Sequence, residues 1–183
     1  NADDIARELR NDTFAFDKYE TTTRLDELQE LALASGLIGN EFTPESFINS
    51  FKLDDNKLKL IDPGADERLA QILADFLRKK LLIEKRKFSF ETVFSHPSKL
   101  DIMREAKDAG YKVYLYFVST ESPEFNKDRV KIRVKEQGHN VPPDKIESRY
   151  YRSLEQLYDA AQLAYQAYFF DNTGKKPLLF GHF

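Results

Sequence analysis

The stretch RVKIRVKEQGHNVPPDKIESRYYRS carries Arg129, Arg133, Arg149 and Arg152. Arg129 and Arg133 are four residues apart and share a face if the segment is helical. Arg149 and Arg152 open the next expected helix, and the intervening GHNVPP is a tight connection that brings the helix ends together. Two helices would then present guanidinium forks to one space. A planar fork makes paired hydrogen bonds to phosphate oxygens, so the pattern reads as an anion site. The competing reading is a solvated face, because Lys131, Lys135, Glu136, Asp144, Lys145 and Glu147 are interleaved. His139, after Gly138, reads as a turn residue. His96, His139 and His182 show no spacing such as His-x-x-x-His or His-Glu-x-x-His, and no metal ligands are expected. No Gly-x-Ser-x-Gly is present, and no Ser-His-Asp arrangement follows from spacing.

The elements that would position these arginines begin at Asp66. DERLAQILADFLRKKLLIEK reads as a long helix with Leu69, Ile72, Leu73, Phe76, Leu77 and Leu81 on one face. Residues 87–94, KFSFETVF, are expected as a strand and residues 97–110 as a helix ending at Gly110. YKVYLYFVS, 111–119, is a strand whose near-continuous apolar run predicts cover on both faces. A helix then starts at Ser122-Pro123, and PPDKIESRYYRSLEQLYDAAQLAYQ is one long helix or two with a kink. AYFFDNT and PLLFGHF close the chain as strands. This alternation predicts an α/β fold, a parallel sheet flanked by helices. Ligands in such sheets bind beyond the carboxyl ends of the strands, which here carry Glu91-Thr92, Ser119-Thr120-Glu121 and Asp171-Asn172.

Upstream, residues 3–10 and 24–34 read as helices, the second closed by Ser35-Gly36. Thr43-Pro44 is a helix start, and Asp54-Asp55-Asn56 and Asp62-Pro63-Gly64 are turns. Residues 37–64 break the rhythm and are expected to be an insertion in a single domain spanning 1–183. Asp3 and Asp4 at the first helix could cap it, or one could take a proton from a hydroxyl beside a phosphate.

Composition narrows the classes. Hydrophobic residues make up 41%, and 15 Phe and 9 Tyr against one Met and no Trp point to an aromatic core. A net charge of −3 argues against a nucleic-acid partner held by bulk charge. The absence of cysteine excludes disulfides and thiolate metal sites within these residues. No apolar run approaches the ~18 residues of a membrane span, and no signal peptide is visible. A cytoplasmic protein without membrane contact is expected.

NADDIAREL at the start, FSFETVFSH at 88–96, AKDAGYKVYLYFVST at 106–120, the arginine block at 129–157 and FFDNT at 169–173 follow the order of a known family. In these motifs the chain resembles the zeta-toxin-like small kinases. The resemblance implies a P-loop phosphotransferase fold that uses ATP with Mg2+. Its best-known members phosphorylate UDP-N-acetylglucosamine on a sugar hydroxyl and are blocked by a small helical antitoxin. By the same resemblance, Asp3 matches the carboxylate that activates the acceptor hydroxyl. Glu91 and Thr92 match the region that holds the sugar nucleotide. Arg133 and Arg149 look like the pair that embraces the transferred phosphate, with Arg129 near the substrate. Asp171 and Asn172 match the strand end near the nucleotide base.

The Gly-x-x-x-x-Gly-Lys-[Ser/Thr] cradle is absent from these residues; the only Gly-Lys, Gly174-Lys175, has the wrong surroundings. In the family it lies just before the NAD segment, so the P-loop and first strand are expected upstream of Asn1. Three readings follow: an ATP-dependent kinase of a small metabolite hydroxyl, an inactive kinase-fold remnant that binds a protein, or an RNA-end or nucleotide kinase of related fold, against which the net charge of −3 counts.

Overall fold

The computed structural model describes residues 1–136 and 140–183. The chain divides into two compact units, Asn1–Glu91 and Thr92–Phe183.

The first unit is built on four α-helices and a small antiparallel sheet. Helix α1 (Ala2–Asn11) is capped by Asn1, whose side chain accepts from the Asp4 N–H at 3.0 Å. Its buried residues Ile5, Ala6 and Leu9 recur at helical spacing and pack on α4 (Asp66–Ile83). Helix α2 (Leu25–Leu33) buries Leu28 and Ala32, and also packs on α4. Gly36 follows with φ of +72°, a left-handed conformation that favours glycine. The short α3 (Pro44–Asn49) is capped by Thr43, which accepts from Ser46 N–H at 3.1 Å.

Strands β2 (Phe51–Asp54) and β3 (Lys57–Leu60) form a hairpin, and β1 (Thr13–Ala15) pairs with the far edge of β3. The two-residue loop is Asp55-Asn56, both at positive φ, as a tight turn matched to strand twist requires. Phe47, Phe51 and Leu58 from residues 37–64 enter the same core as Phe14, Phe16, Leu69, Ile72, Leu73 and Phe76. Phe16 meets Phe14 and Phe76 edge to face, at 5.1 and 5.9 Å between ring centres. The aromatic core expected from composition is this one. Lys80 is nearly buried beside it and ties α4 to α2 through both oxygens of Glu27, at 2.6 and 2.7 Å.

In the second unit, β4 (Tyr114–Ser119) and β5 (Gln166–Asp171) are parallel, and β6 (Leu178–His182) adds antiparallel to β5. The sheet order is β4-β5-β6. The fold is therefore mixed α/β, with one parallel pair where a larger parallel sheet was expected. Helices α5 (Ser98–Asp108) and α8 (Leu157–Leu163) pack together, and Leu100, Met103 and Ala160 bury against Leu115. Helices α6 (Pro123–Lys135) and α7 (Pro143–Glu155) form a second pair. The alternative of a kinked final helix holds, since α7 and α8 break at Gln156.

Two expectations are corrected. Residues 87–94 form no strand. A strand needs a neighbour to complete its hydrogen bonds, and no described strand pairs with this segment. Its rings are used locally instead: Phe88 stacks on Phe90, Arg78 lies 5.1 Å over Phe90, and Phe94 turns at a φ of +58° to bury beside Leu100. The cover on both faces of residues 111–119 also fails. Val113 and Leu115 pack on the α5–α8 side and Phe117 is buried, whereas Tyr114, Tyr116 and Val118 remain 47%, 62% and 53% exposed. Apart from Pro123 and Ser153, no described residue of α6 or α7 is buried, so this helix pair supplies little apolar cover.

The hairpin turn carries a testable consequence. The Asn56 side chain donates to Asp17 and to the Thr21 carbonyl, and accepts from Thr23 N–H, at 2.6 to 2.9 Å. Asn56→Gly keeps the left-handed backbone and removes only these bonds, so it should lower unfolding free energy by about 1–3 kcal/mol. Asn56→Ala adds the left-handed penalty of about 1 kcal/mol and should cost more. Urea unfolding of the two variants checks the order.

Candidate active site

The carboxyl ends of β4 and β5 lie side by side because their register runs from Tyr114 opposite Gln166 to Ser119 opposite Asp171. Beyond the ladder, Asn172 N–H still donates to the Ser119 carbonyl at 2.7 Å. Asp171 then folds the chain back: its carboxylate accepts from the Thr173 N–H at 2.8 Å and the Thr173 hydroxyl at 2.6 Å. This is an Asx turn. The Thr173 oxygen in turn accepts from Glu121 N–H at 2.8 Å, which joins the two strand ends. Held by the Thr173 hydroxyl and then by its backbone N–H, the Asp171 carboxyl titrates below the ordinary aspartate range.

The helix pair docks on these ends by polar contacts. Tyr150 of α7 donates its hydroxyl to the Thr120 carbonyl, just past β4, at 2.8 Å. Arg129 of α6 donates to the Asn172 carbonyl, just past β5. Lys127 of α6 pairs with Glu147 of α7. Pro123 and Tyr150 thus both belong to the end of β4, and the helices run antiparallel.

The heights of the arginines follow. With Lys127 level with Glu147, Arg133 stands six residues, about 9 Å, further along α6 away from the strand ends. Arg149 stands two residues, about 3 Å, from Glu147 in the opposite direction. Of the two arginines expected to embrace the phosphate, Arg149 therefore stands nearer the strand ends and Arg133 farther out. Arg133 is exposed in the last turn of α6, where a cation suits the helix dipole. Arg152 donates to the Ser148 carbonyl one turn back, at 3.2 Å. Arg149 is partly buried, and among the described residues it has neither hydrogen bond nor ion pair. Every other arginine of the chain has some partner, from Arg7 with Asp4 and Arg104 with Asp101 to Arg86 with Glu20. A partly buried guanidinium left unpaired is costly unless something else meets it.

The remaining expected site residues divide between the units. Asp3 is exposed in the first turn of α1, where Asn1 supplies the cap, and it makes no hydrogen bond among the described residues. Glu91 ends the first unit and Thr92 begins the second; both are exposed in irregular chain. Asp171 and Asn172 sit at the end of β5, one Asp171 oxygen bonded to Thr173 and Asn172 offering its carbonyl to Arg129. The Gly138-His139 turn lies outside the described residues. Tyr150 and Thr173 were not singled out in the sequence, and Thr120 was named only as one of the β4 strand-end residues. Asp-x-Thr after a strand is an Asx-turn pattern and was readable; a Tyr beside an Arg in a helix carries no such signal. Among the described residues no three or more His, Cys, Asp or Glu side chains cluster for a metal, and no helix is long and apolar enough to cross a membrane.

The Asp171 turn can be read by titration. Thr173→Val removes the hydroxyl donor and should move the Asp171 pKa back up towards the ordinary value, as followed by carboxyl NMR. A depressed folded pKa stabilises the fold above the unfolded aspartate pKa, near ~3.9, and that contribution disappears as pH falls through the folded value. Acid unfolding of Thr173→Val should accordingly lose part of this dependence below about pH 4.

Residues 67–178, more than half of the chain, match the family model described as Zeta toxin. The match runs from α4 to the start of β6; Asp3 lies outside it, and the arginines of α6 and α7 lie inside. The chain is 35% identical over 63 residues to a protein of Haemophilus influenzae described as an uncharacterized protein, covering 34% of this chain and 45% of that one. The chain thus spans less than half the length of this relative. No solved structure matches. On the extent of the family match, the chain belongs to the zeta toxin family.

Proposed function

We propose that these residues form the phosphate-handling part of an ATP-dependent phosphotransferase that acts on a hydroxyl of a small metabolite. UDP-N-acetylglucosamine is the acceptor that the family resemblance suggests. The observation that carries the reading is Arg149, partly buried, unpaired among the described residues and near the ends of a parallel strand pair. Phosphoryl transfer asks little covalent chemistry of the protein. It asks for groups that position the reactants and meet charge on the moving phosphoryl. A guanidinium fork without a competing carboxylate does that with no bond to break first.

Each residue then has a role. Arg149 meets the phosphoryl oxygens. By the same reckoning Arg133 stands about 12 Å from Arg149 along the helix pair, so its role as a second phosphate ligand rests on the resemblance. Arg129 and Asp171 shape the strand ends. Asp3, which makes no hydrogen bond, takes the proton from the acceptor hydroxyl, and Glu91 and Thr92 hold the acceptor; these three assignments rest on the resemblance alone.

ATP and Mg2+ enter by the same resemblance. For ATP the fit is partial: Arg149 suits a phosphate, and the rest of the ATP site comes from the resemblance alone. Mg2+ rests on the resemblance: one oxygen of Asp171 takes both Thr173 bonds and the other has no hydrogen bond among the described residues, and Mg2+ usually takes waters and substrate phosphates as its remaining ligands. No step is routed through the metal. A small helical antitoxin belongs to the proposal on the resemblance alone.

The test uses the natural full-length polypeptide that contains these residues. Transfer of the γ-phosphoryl from ATP to UDP-N-acetylglucosamine is followed by mass spectrometry. Arg149→Ala should lower kcat by about 10³-fold while ATP still raises the melting temperature. Unchanged turnover in that variant would remove Arg149 from the mechanism. Absence of both transfer and any ATP-dependent melting shift in the parent protein would favour the protein-binding remnant instead.

A further inference from the structure

Arg149 can meet a phosphoryl group only if α7 holds it at a fixed height over the strand ends. Apolar packing does not supply that constraint, because Ser153 alone among α7 residues is buried. Polar contacts must. The Lys127–Glu147 pair joins α7 to α6 and leaves both helices free to shift together. The bond from Arg129 to the Asn172 carbonyl holds α6, not α7. At the far end of α7 the C-cap Gln156 donates to the Phe94 carbonyl at 3.0 Å, and among the described residues the direct tie from α7 to the sheet end is the Tyr150 hydroxyl on the Thr120 carbonyl, at 2.8 Å.

The acceptor end of that tie is well fixed. Thr120 is 7% exposed, its hydroxyl donates to the Ser122 carbonyl, and its carbonyl also takes the Ser119 hydroxyl at 3.2 Å. The donor end is fixed too. Tyr150 meets Tyr151 edge to face at 5.3 Å between ring centres, and its own carbonyl accepts from the Ser153 hydroxyl at 2.7 Å. Tyr150 directly follows Arg149 on α7. A bond that fixes the distance and rotation of one residue on a helix fixes its neighbour's backbone as well.

We propose that Tyr150 is a positioning residue: its hydroxyl, bonded to the Thr120 carbonyl, sets α7 so that Arg149 is presented to a phosphoryl group at the ends of β4 and β5. This rests on the reading of Arg149 as a phosphate ligand. It assigns no contact between Tyr150 and substrate.

The experiment titrates the full chain with inorganic pyrophosphate and follows the arginine Nε–Hε resonances by NMR, alongside thermal melts. Arg149→Ala should abolish the saturable shifts; binding equal to the parent in that variant overturns the reading of Arg149 itself. With that control passed, Tyr150→Phe should weaken pyrophosphate binding about five-fold, the loss of one hydrogen bond's worth of ordering. In the double variant it should add nothing to Arg149→Ala. Unchanged affinity in Tyr150→Phe, or a further loss in the double variant, overturns the positioning role. Tyr150→His, which keeps a ring N–H donor, is the second variant. Recovered affinity relative to Tyr150→Phe supports the proposal. Equal loss of affinity and of melting temperature in both variants makes Tyr150 purely structural and overturns it.

Discussion

The parallel pairing of β4 with β5 is the contact on which residues 92–183 depend. Parallel strands cannot be joined by a short turn, so the chain between Ser119 and Gln166 must leave the sheet and return. That excursion is α6, α7 and α8. Only α8 returns onto a sheet face, where Ala160 buries with Leu100 and Met103. The other two helices are left at the strand ends, and they bring the arginines with them. The position of the candidate site is thus a consequence of connection geometry before it is a matter of chemistry. The Thr173 oxygen, bonded to Glu121 N–H on one strand and to Asp171 on the other, keeps the two ends from fraying apart.

The first unit is organised on a different principle. Its sheet is antiparallel and its strands are short, so a hairpin suffices and local contacts dominate. Stability there comes from burying Phe14, Phe16, Phe47 and Phe76 between the sheet and the helices. Lys80 is the exception in that setting. A nearly buried ammonium is tolerable because Glu27 meets it with both oxygens and Glu84 approaches at 3.3 Å. Glu84 is itself held by the Thr21 hydroxyl at 2.8 Å, so the charge group also anchors the segment before α2.

Much of this was legible in the sequence, for identifiable reasons. The helices α1, α2 and α4 announce themselves by apolar spacing, and Thr43-Pro44 and Gly36 mark ends whose backbone chemistry is local. The Asp55-Asn56 turn is likewise a local matter. What failed depends on partners far along the chain. Residues 87–94 alternate like a strand, yet alternation says only that a segment is fit to pair, not that a neighbour exists. Residues 111–119 are apolar on both faces, and the sequence cannot say which face a helix will cover. In the candidate site, the arginines were visible as residue types, but their heights were not. Those are set by Tyr150 and Lys127, whose partners lie 30 and 20 residues away.

The heights matter because arginines that look equivalent in sequence are put to unequal uses. Four guanidinium groups within one short stretch would repel one another if all faced one space without an anion. The fold disperses that cost. Arg152 is turned back onto its own helix, and Arg129 is bonded to the Asn172 carbonyl. Arg133 is carried outward on α6, into the last turn, where the helix dipole favours a cation. Among the described residues, Arg149 of the four is left partly buried with neither hydrogen bond nor ion pair. Arg129 has a further use in this arrangement: bonded to a main-chain carbonyl, it keeps α6 in place and retains its positive charge at the end of β5. A carboxylate in the same position would have held the helix equally well and cancelled the charge that an anion site requires.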